Sequence, residues 1–358
     1  MKKSVWKLVG AVLILVILII GYVAVIILNP EETEETKDQE DTSIEVNTFE
    51  SDGVTELSYS SKKGDFTFLL DGENWYYTKD KSCPIDQSKI TAMLSAASSV
   101  KASQLVEENN KENFSSFGLD EPTEPTETIT YKLSSGESKT YYVGDYNEML
   151  TSYYFNVKGE DKVYLIDTTL FNSFDYDLLG LVDVEEYPVM SATDISDFSI
   201  TNGKKTVYTK DKKDAAHKKN ESEIPEPEWV SGTNKNKLAA VGENFADDVI
   251  QSIIGLTNSG CVDYDCKEKD LKKYGLDKPS YKLVVNYTET KLEESEKDTD
   301  TENTATPAPS VIVDKQLVVY VGSTAESGEY YVKMEGSNMV NTINVAGIEN
   351  ILALVEEE

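Results

Sequence analysis

Two stretches of this chain carry the same unusual turn: Phe117-Gly118-Leu119-Asp120-Glu121-Pro122 and Tyr274-Gly275-Leu276-Asp277-Lys278-Pro279. Further on, Tyr153-Tyr154 recurs as Tyr330-Tyr331, an offset of 177 positions (330 minus 153), and Ile166 to Ile343 and Phe171 to Ile348 keep that offset. A constant offset over such a length predicts an internal duplication, so each half must fold into the same module. With only two copies the arrangement is tandem rather than a solenoid.

The elements within each copy follow from pattern. Apolar and aromatic runs at Leu57–Tyr59, Phe66–Leu70 and Trp75–Tyr77, broken by Lys-Gly-Asp and Asp-Gly clusters, predict a strand–turn–strand–turn–strand unit. Its counterpart is Phe198–Ile200, Asn202-Gly203, Val207-Tyr208 and, after a Pro/Glu-rich stretch, Trp229. Ile90, Met93, Leu94 and Ala97 share a helical face with Asp86 or Ser88 as N-cap; Phe245, Val249, Ile253 and Leu256 share another, capped by Asn244. Strands are predicted to resume at Thr128–Leu133 and Lys139–Val143, matched by Tyr281–Tyr287 and Gln316–Val321, and each copy closes on a short helix, Thr169–Phe174 or Ile348–Val355. The fold class expected is α+β: two tandem duplicated modules with antiparallel sheets, at 48–188 and 192–358, the second carrying a disordered acidic insertion at about 289–310.

Ahead of the modules, Leu8–Leu28 is an uncharged apolar run long enough to cross a hydrocarbon core of about 30 Å as a helix. Lys2, Lys3 and Lys7 precede it, which places residues 1–7 in the cytoplasm and the body outside. The run is longer than a signal peptide's apolar region and lacks a small-x-small end, so an uncleaved single-pass anchor in the cell membrane is expected. Residues 29–47, acidic and free of aromatics, are expected to form a stalk.

The chain carries 65 acidic against 34 basic residues, a formal charge of −31, and such a surface repels phosphate backbones. No nucleic-acid partner is expected. His217 is the single histidine and sits in a charged stretch, so Ser/His/Asp or Cys/His catalysis has little to draw on. No motif marks a carboxylate pair, a metal site, a phosphate loop or a cofactor; the Asp298–Asn303 run lacks the Gly and distal Glu of a calcium loop. Cys261 and Cys266 could close a local disulfide or stay thiols, with Cys83 unpaired either way. The positions singled out are therefore the repeated ones: Trp75, Phe117, Gly118, Asp120 and Pro122, with Trp229, Tyr274, Gly275, Asp277 and Pro279. Gly allows positive φ, Asp caps a turn and Pro starts an extended segment, so repetition favours a structural role over a shared contact.

The order of anchor, Trp-bearing strands, helix, aromatic-Gly-Leu-Asp-x-Pro, Val143-Gly144 and Tyr153-Tyr154, repeated at Val321-Gly322 and Tyr330-Tyr331, resembles the bacterial domain of unknown function 4340 family. The resemblance covers most of the body. Members look like envelope proteins, often associated with an ABC-type transporter and its gliding-motility-like auxiliary subunit, which implies a non-catalytic accessory role and carries over no catalytic residue. The alternative from a different class is a ligand-binding or sensor protein that uses the cleft between the modules, for which an apolar pocket with convergent polar groups would be needed.

Overall fold

The structure, a computed structural model, describes residues 43–119, 125–292 and 310–356. The apolar run Leu8–Leu28, most of the acidic stalk, Asp120 and Pro122 lie outside the described residues. Among the described residues no helix is long and apolar enough to cross a membrane.

Two nine-stranded antiparallel sheets make up the body. In chain order the first uses β1 (Ile44–Thr48), β2 (Val54–Ser61), β3 (Gly64–Asp71), β4 (Asn74–Tyr77), β5 (Ser99–Glu108), β6 (Glu127–Leu133), β7 (Ser138–Asn147), β8 (Ser152–Val157) and β9 (Lys162–Ile166), laid side by side as 1-5-9-8-7-6-2-3-4. The second uses β10 (Ile195–Thr201), β11 (Thr206–Asp211), β12 (Trp229–Gly232), β13 (Ala239–Ala240), β14 (Gly260–Asp263), β15 (Tyr281–Leu292), β16 (Ser310–Thr324), β17 (Tyr330–Met334) and β18 (Val340–Ile343), laid as 13-12-11-10-15-16-17-18-14. Read from the other edge, eight strands of the second sheet take the places of β5, β9, β8, β7, β6, β2, β3 and β4. The ninth differs: β1 extends one sheet at its β5 edge, and β13 extends the other beyond β12.

The helices cover one face of each sheet. Helix α1 (Gln87–Ser98) buries Ile90, Met93, Leu94 and Ala97, the face expected from their spacing, against Leu57, Phe68, Ile129 and Tyr141. Its N-cap is Asp86, whose side chain accepts from the backbone N–H of Ser88 and Lys89. Replacing Asp86 by Ala leaves those donors to solvent and is expected to cost about 1 kcal/mol in a urea titration. Gln87 then ties α1 to the neighbouring strand: its amide accepts from Trp75 N (2.7 Å) and donates to Trp75 O (3.0 Å). Helix α2 (Thr169–Phe174) packs beside α1, burying Leu170 and Phe174. In the second half a π-helical turn (Ala246–Ile250) runs into α3 (Gln251–Ile254), and α4 (Glu349–Glu356) closes the chain. Val249, Ile253 and Leu256 are buried as expected. Asn244, however, gives its backbone carbonyl to Asp248 N and makes no side-chain cap.

Several expectations need correction. The stalk was expected to run to residue 47, but Ile44–Thr48 is a strand paired with β5. Asn47 anchors it from a buried position, donating to Tyr131 Oη (3.0 Å) and Tyr141 Oη (2.5 Å) and accepting from Lys139 Nζ (2.7 Å). The disordered insertion was expected to begin at Glu289, yet the β15–β16 ladder continues to the Leu292–Ser310 pair, so the remainder, 293–309, is the part outside the described residues. β-Branched Thr288, Thr290, Val311 and Val313 carry that extension. A strand directly after each helix, β5 and β14, was not expected. All three cysteines are buried free thiols.

The halves touch. The short turn Leu179–Leu181 packs on β14, Cys83 and Cys261 share one core with Met339, and Tyr264 Oη donates to Asp80 Oδ2 (2.9 Å).

Candidate functional site

The repeated positions are placed by the fold, and they are not brought together. Trp75 and Trp229 are core side chains of separate sheets. Phe117 and Tyr274 end matching 3-10 turns, Lys111–Phe117 and Glu268–Tyr274, each closed by a left-handed glycine: Gly118 at φ +67° and Gly275 at φ +68°. The turn then lies on the sheet face opposite the helices, Leu119 against Tyr142 and Val163, Leu276 against Val340. Phe117 meets Tyr154 with ring centroids 4.8 Å apart, and Tyr274 meets Tyr331 at 5.0 Å. The Val-Gly pairs belong to the same contact: a Cβ on Gly144 would stand 2.1 Å from Phe117 O, and one on Gly322 2.0 Å from Tyr274 O. Backbone lies on backbone in both sheets, which is why glycine recurs there. Asp277 is solvent-exposed and Pro279 half-buried.

The end of the first sheet differs from its counterpart in two ways. First, the β7–β8 hairpin presents Met149, 91% exposed, with Leu150 and Tyr146 also exposed. This tip is braced: Asn147 Oδ1 accepts from Met149 N and Leu150 N (3.1 Å each), Asn147 Nδ2 donates to Tyr154 Oη (2.9 Å), and Ser152 Oγ donates to Leu150 O (2.9 Å). The matching β16–β17 turn, Ala325–Glu329, is polar.

Second, Glu127 opens β6 from a fully buried position, and neither carboxyl oxygen has a hydrogen-bond partner among the described residues. Burial, reinforced by Asp175 and eased by Lys63, pushes its pKa up to about 8. Around it stand Tyr59 and Tyr153, and burial raises the pKa of both phenols further, with Glu127 adding to the effect. Tyr153 lies between Tyr146 (centroids 4.9 Å apart) and Phe171 (4.4 Å), so Glu127 sits at the root of the apolar tip. In the second sheet the same register position, opposite Val321 as Glu127 is opposite Val143, is held by Tyr281, whose hydroxyl reaches Glu356. Sequence reasoning passed over Glu127, although it shares the inward parity of Ile129 and Tyr131 on one strand.

His217 is held between Asp214 Oδ1 (2.7 Å) and Asp314 Oδ1 (2.9 Å), and those hydrogen bonds raise its pKa. Among the described residues no cluster of three or more His, Cys, Asp or Glu could hold a metal ion.

A family model described as a domain of unknown function, DUF4340, matches residues 75–254. The chain belongs to that family. The DUF4340 match covers half the chain and runs from Trp75 in β4 to Ile254 at the end of α3. It therefore crosses from one sheet to the other. Comparison with curated proteins and with solved structures finds no match.

Proposed function

We propose that this DUF4340 protein is a non-catalytic, extracytoplasmic interaction module, tethered to the membrane through Leu8–Leu28 and accessory to an ABC-type transporter or envelope-assembly system. The two sheets are read as tandem copies of one module, on their shared strand order. The observation that carries the contact role is the braced apolar tip Tyr146–Met149–Leu150. Asp145 and Glu148 flank it, both exposed, on a chain of net charge −31. That charge disfavours anionic lipid and favours a protein socket with an apolar floor and a basic rim. Ile44, Ala102, Ile166, Tyr153 and Tyr146 form one cross-strand row, so β1 begins level with Tyr146 at the tip end of the sheet.

A photo-crosslinking residue at Met149 of the full-length protein in cells tests this. The expected product is an adduct with an ABC-type permease or its auxiliary subunit, lost on Leu150→Asp and absent when the probe sits at Ser327 in the matching turn. Adducts to lipid alone, or the same adducts from Ser327, would sink the docking role.

The second reading, ligand capture between the modules, is favoured by one feature. A groove of about 410 Å³ lies at the joint, lined by Val184, Met190, Ile254 and Leu256 together with Glu185 and Tyr187. Tyr187 Oη donates to Asn258 Oδ1 (3.0 Å), and Asn258 Nδ2 donates to Glu185 O (2.7 Å), so these groups hold the linker, while Glu185 Oε2 is buried with no hydrogen-bond partner among the described residues.

A further inference from the structure

A carboxyl group buried without a hydrogen bond is costly, and more so when ionised, so a fold keeps one only where something offsets the cost. The second sheet shows that the fold does not require it, since Tyr281 fills the matching position and sends its hydroxyl out to Glu356. Among the described residues, one cation eases the charge on Glu127. Lys63, in the β2–β3 turn, is already engaged by Asp175 through Oδ1 (2.8 Å) and the backbone carbonyl (2.7 Å). From β2, Tyr59 donates its hydroxyl to Tyr176 O (2.9 Å) instead of to the carboxyl. From β8 comes Tyr153, and from the segment after α2 come Asp175 and, acting on Tyr59, Asp177. Two acids thus compete for one ammonium. Neutral Glu127 leaves Lys63 to Asp175; ionised Glu127 meets Asp175 as a like charge and pulls on Lys63.

We propose that Glu127 is a proton switch for the β7–β8 hairpin: protonated, it keeps this end of the first sheet closed with the Met149 tip fixed, and its ionisation draws Lys63 from Asp175 and loosens the Tyr146–Tyr153–Phe171 stack. The mechanical link is short. Glu127 pairs with Val143 on β7 immediately before the bulge that leads to Tyr146, and Tyr153, which senses its charge, is the cross-strand partner of Tyr146. A rise from mildly acidic to alkaline pH therefore releases the tip. The inference takes its biological meaning from the docking role of the tip, but the switch itself stands on Glu127.

Hydrogen–deuterium exchange of the full-length protein in detergent, corrected for the intrinsic pH dependence of exchange, reads it directly. Peptides covering 61–66, 127–133, 141–155 and 169–177 are expected to lose about tenfold in protection between roughly pH 6 and pH 9, while peptides of the second sheet stay level. Glu127→Gln should abolish that pH dependence. Two variants that keep the carboxyl guard against a folding defect: Asp175→Asn should shift the midpoint to lower pH, and Lys63→Met to higher pH. Level protection in the wild type, or an unchanged midpoint in both of these variants, overturns the switch. If exchange follows this pattern while the Met149 crosslink fails, the docking role falls and the switch stands.

Discussion

Replacing Glu127 with Gln is expected to make the protein more stable than wild type above pH 8 and to flatten its stability between pH 4.5 and pH 8. The folded carboxyl has its pKa raised to about 8 against an ordinary value of 4.5, so over that window the folded state holds a proton that the unfolded chain has lost. Stability from this group is therefore complete below the unfolded pKa and drains away as pH rises through the folded one. At about 1.4 kcal/mol per pKa unit the whole window corresponds to as much as ~5 kcal/mol, less where local opening relieves the charge first. Urea titrations across the window measure it. Parallel profiles for wild type and variant would mean that Glu127 is solvated in the folded protein.

The second large effect concerns the close backbone approach that both sheets share. Gly144→Ala and Gly322→Ala each put a methyl group about 2 Å from a backbone carbonyl, that of Phe117 and of Tyr274. A flexible side chain could move aside, whereas here the obstacle is a turn whose own left-handed glycine, Gly118 or Gly275, is also closely packed. The expected loss is ~3 kcal/mol or more for each variant, at the upper end of what overpacking costs. The two variants should behave alike. If either retained wild-type stability in denaturant titration, the turn would be free to lift off its sheet.

Much of this architecture can be read from the chain because it depends on local chemistry. The face of α1, its Asp86 cap, the α2 boundaries and the paired turns all rest on residues within a few positions of one another. What escaped depends on partners far along the chain. Strand β5 alternates only over Ser99–Ser103, with no more than Val100 and Ala102 turned inward, and that short signal carries weight only once β1 and β9 flank it. Strand β1 was masked by the acidic run before it, and it is Tyr131, Lys139 and Tyr141, more than eighty residues away, that give Asn47 a reason to be buried. The repeated motifs were legible as turn-formers because they recur, and Gly118 and Gly275 close matching turns in the two sheets. The features that distinguish one end of one sheet, Glu127 and the Met149 tip, are those that do not repeat.

The extra strand of the first sheet also has a mechanical meaning. Any tension reaching the body through the residues before Ser43 is borne first by β1, five residues long and pinned by the Asn47 contacts to Tyr131, Tyr141 and Lys139. Peeling β1 away would uncover the edge of β5 and break the Asn47 contacts to β6 and β7, while leaving the ladders among the eight strands that the second sheet also has. Under such a pull β1 would be the first strand loaded, a tear-strip at the border of the sheet.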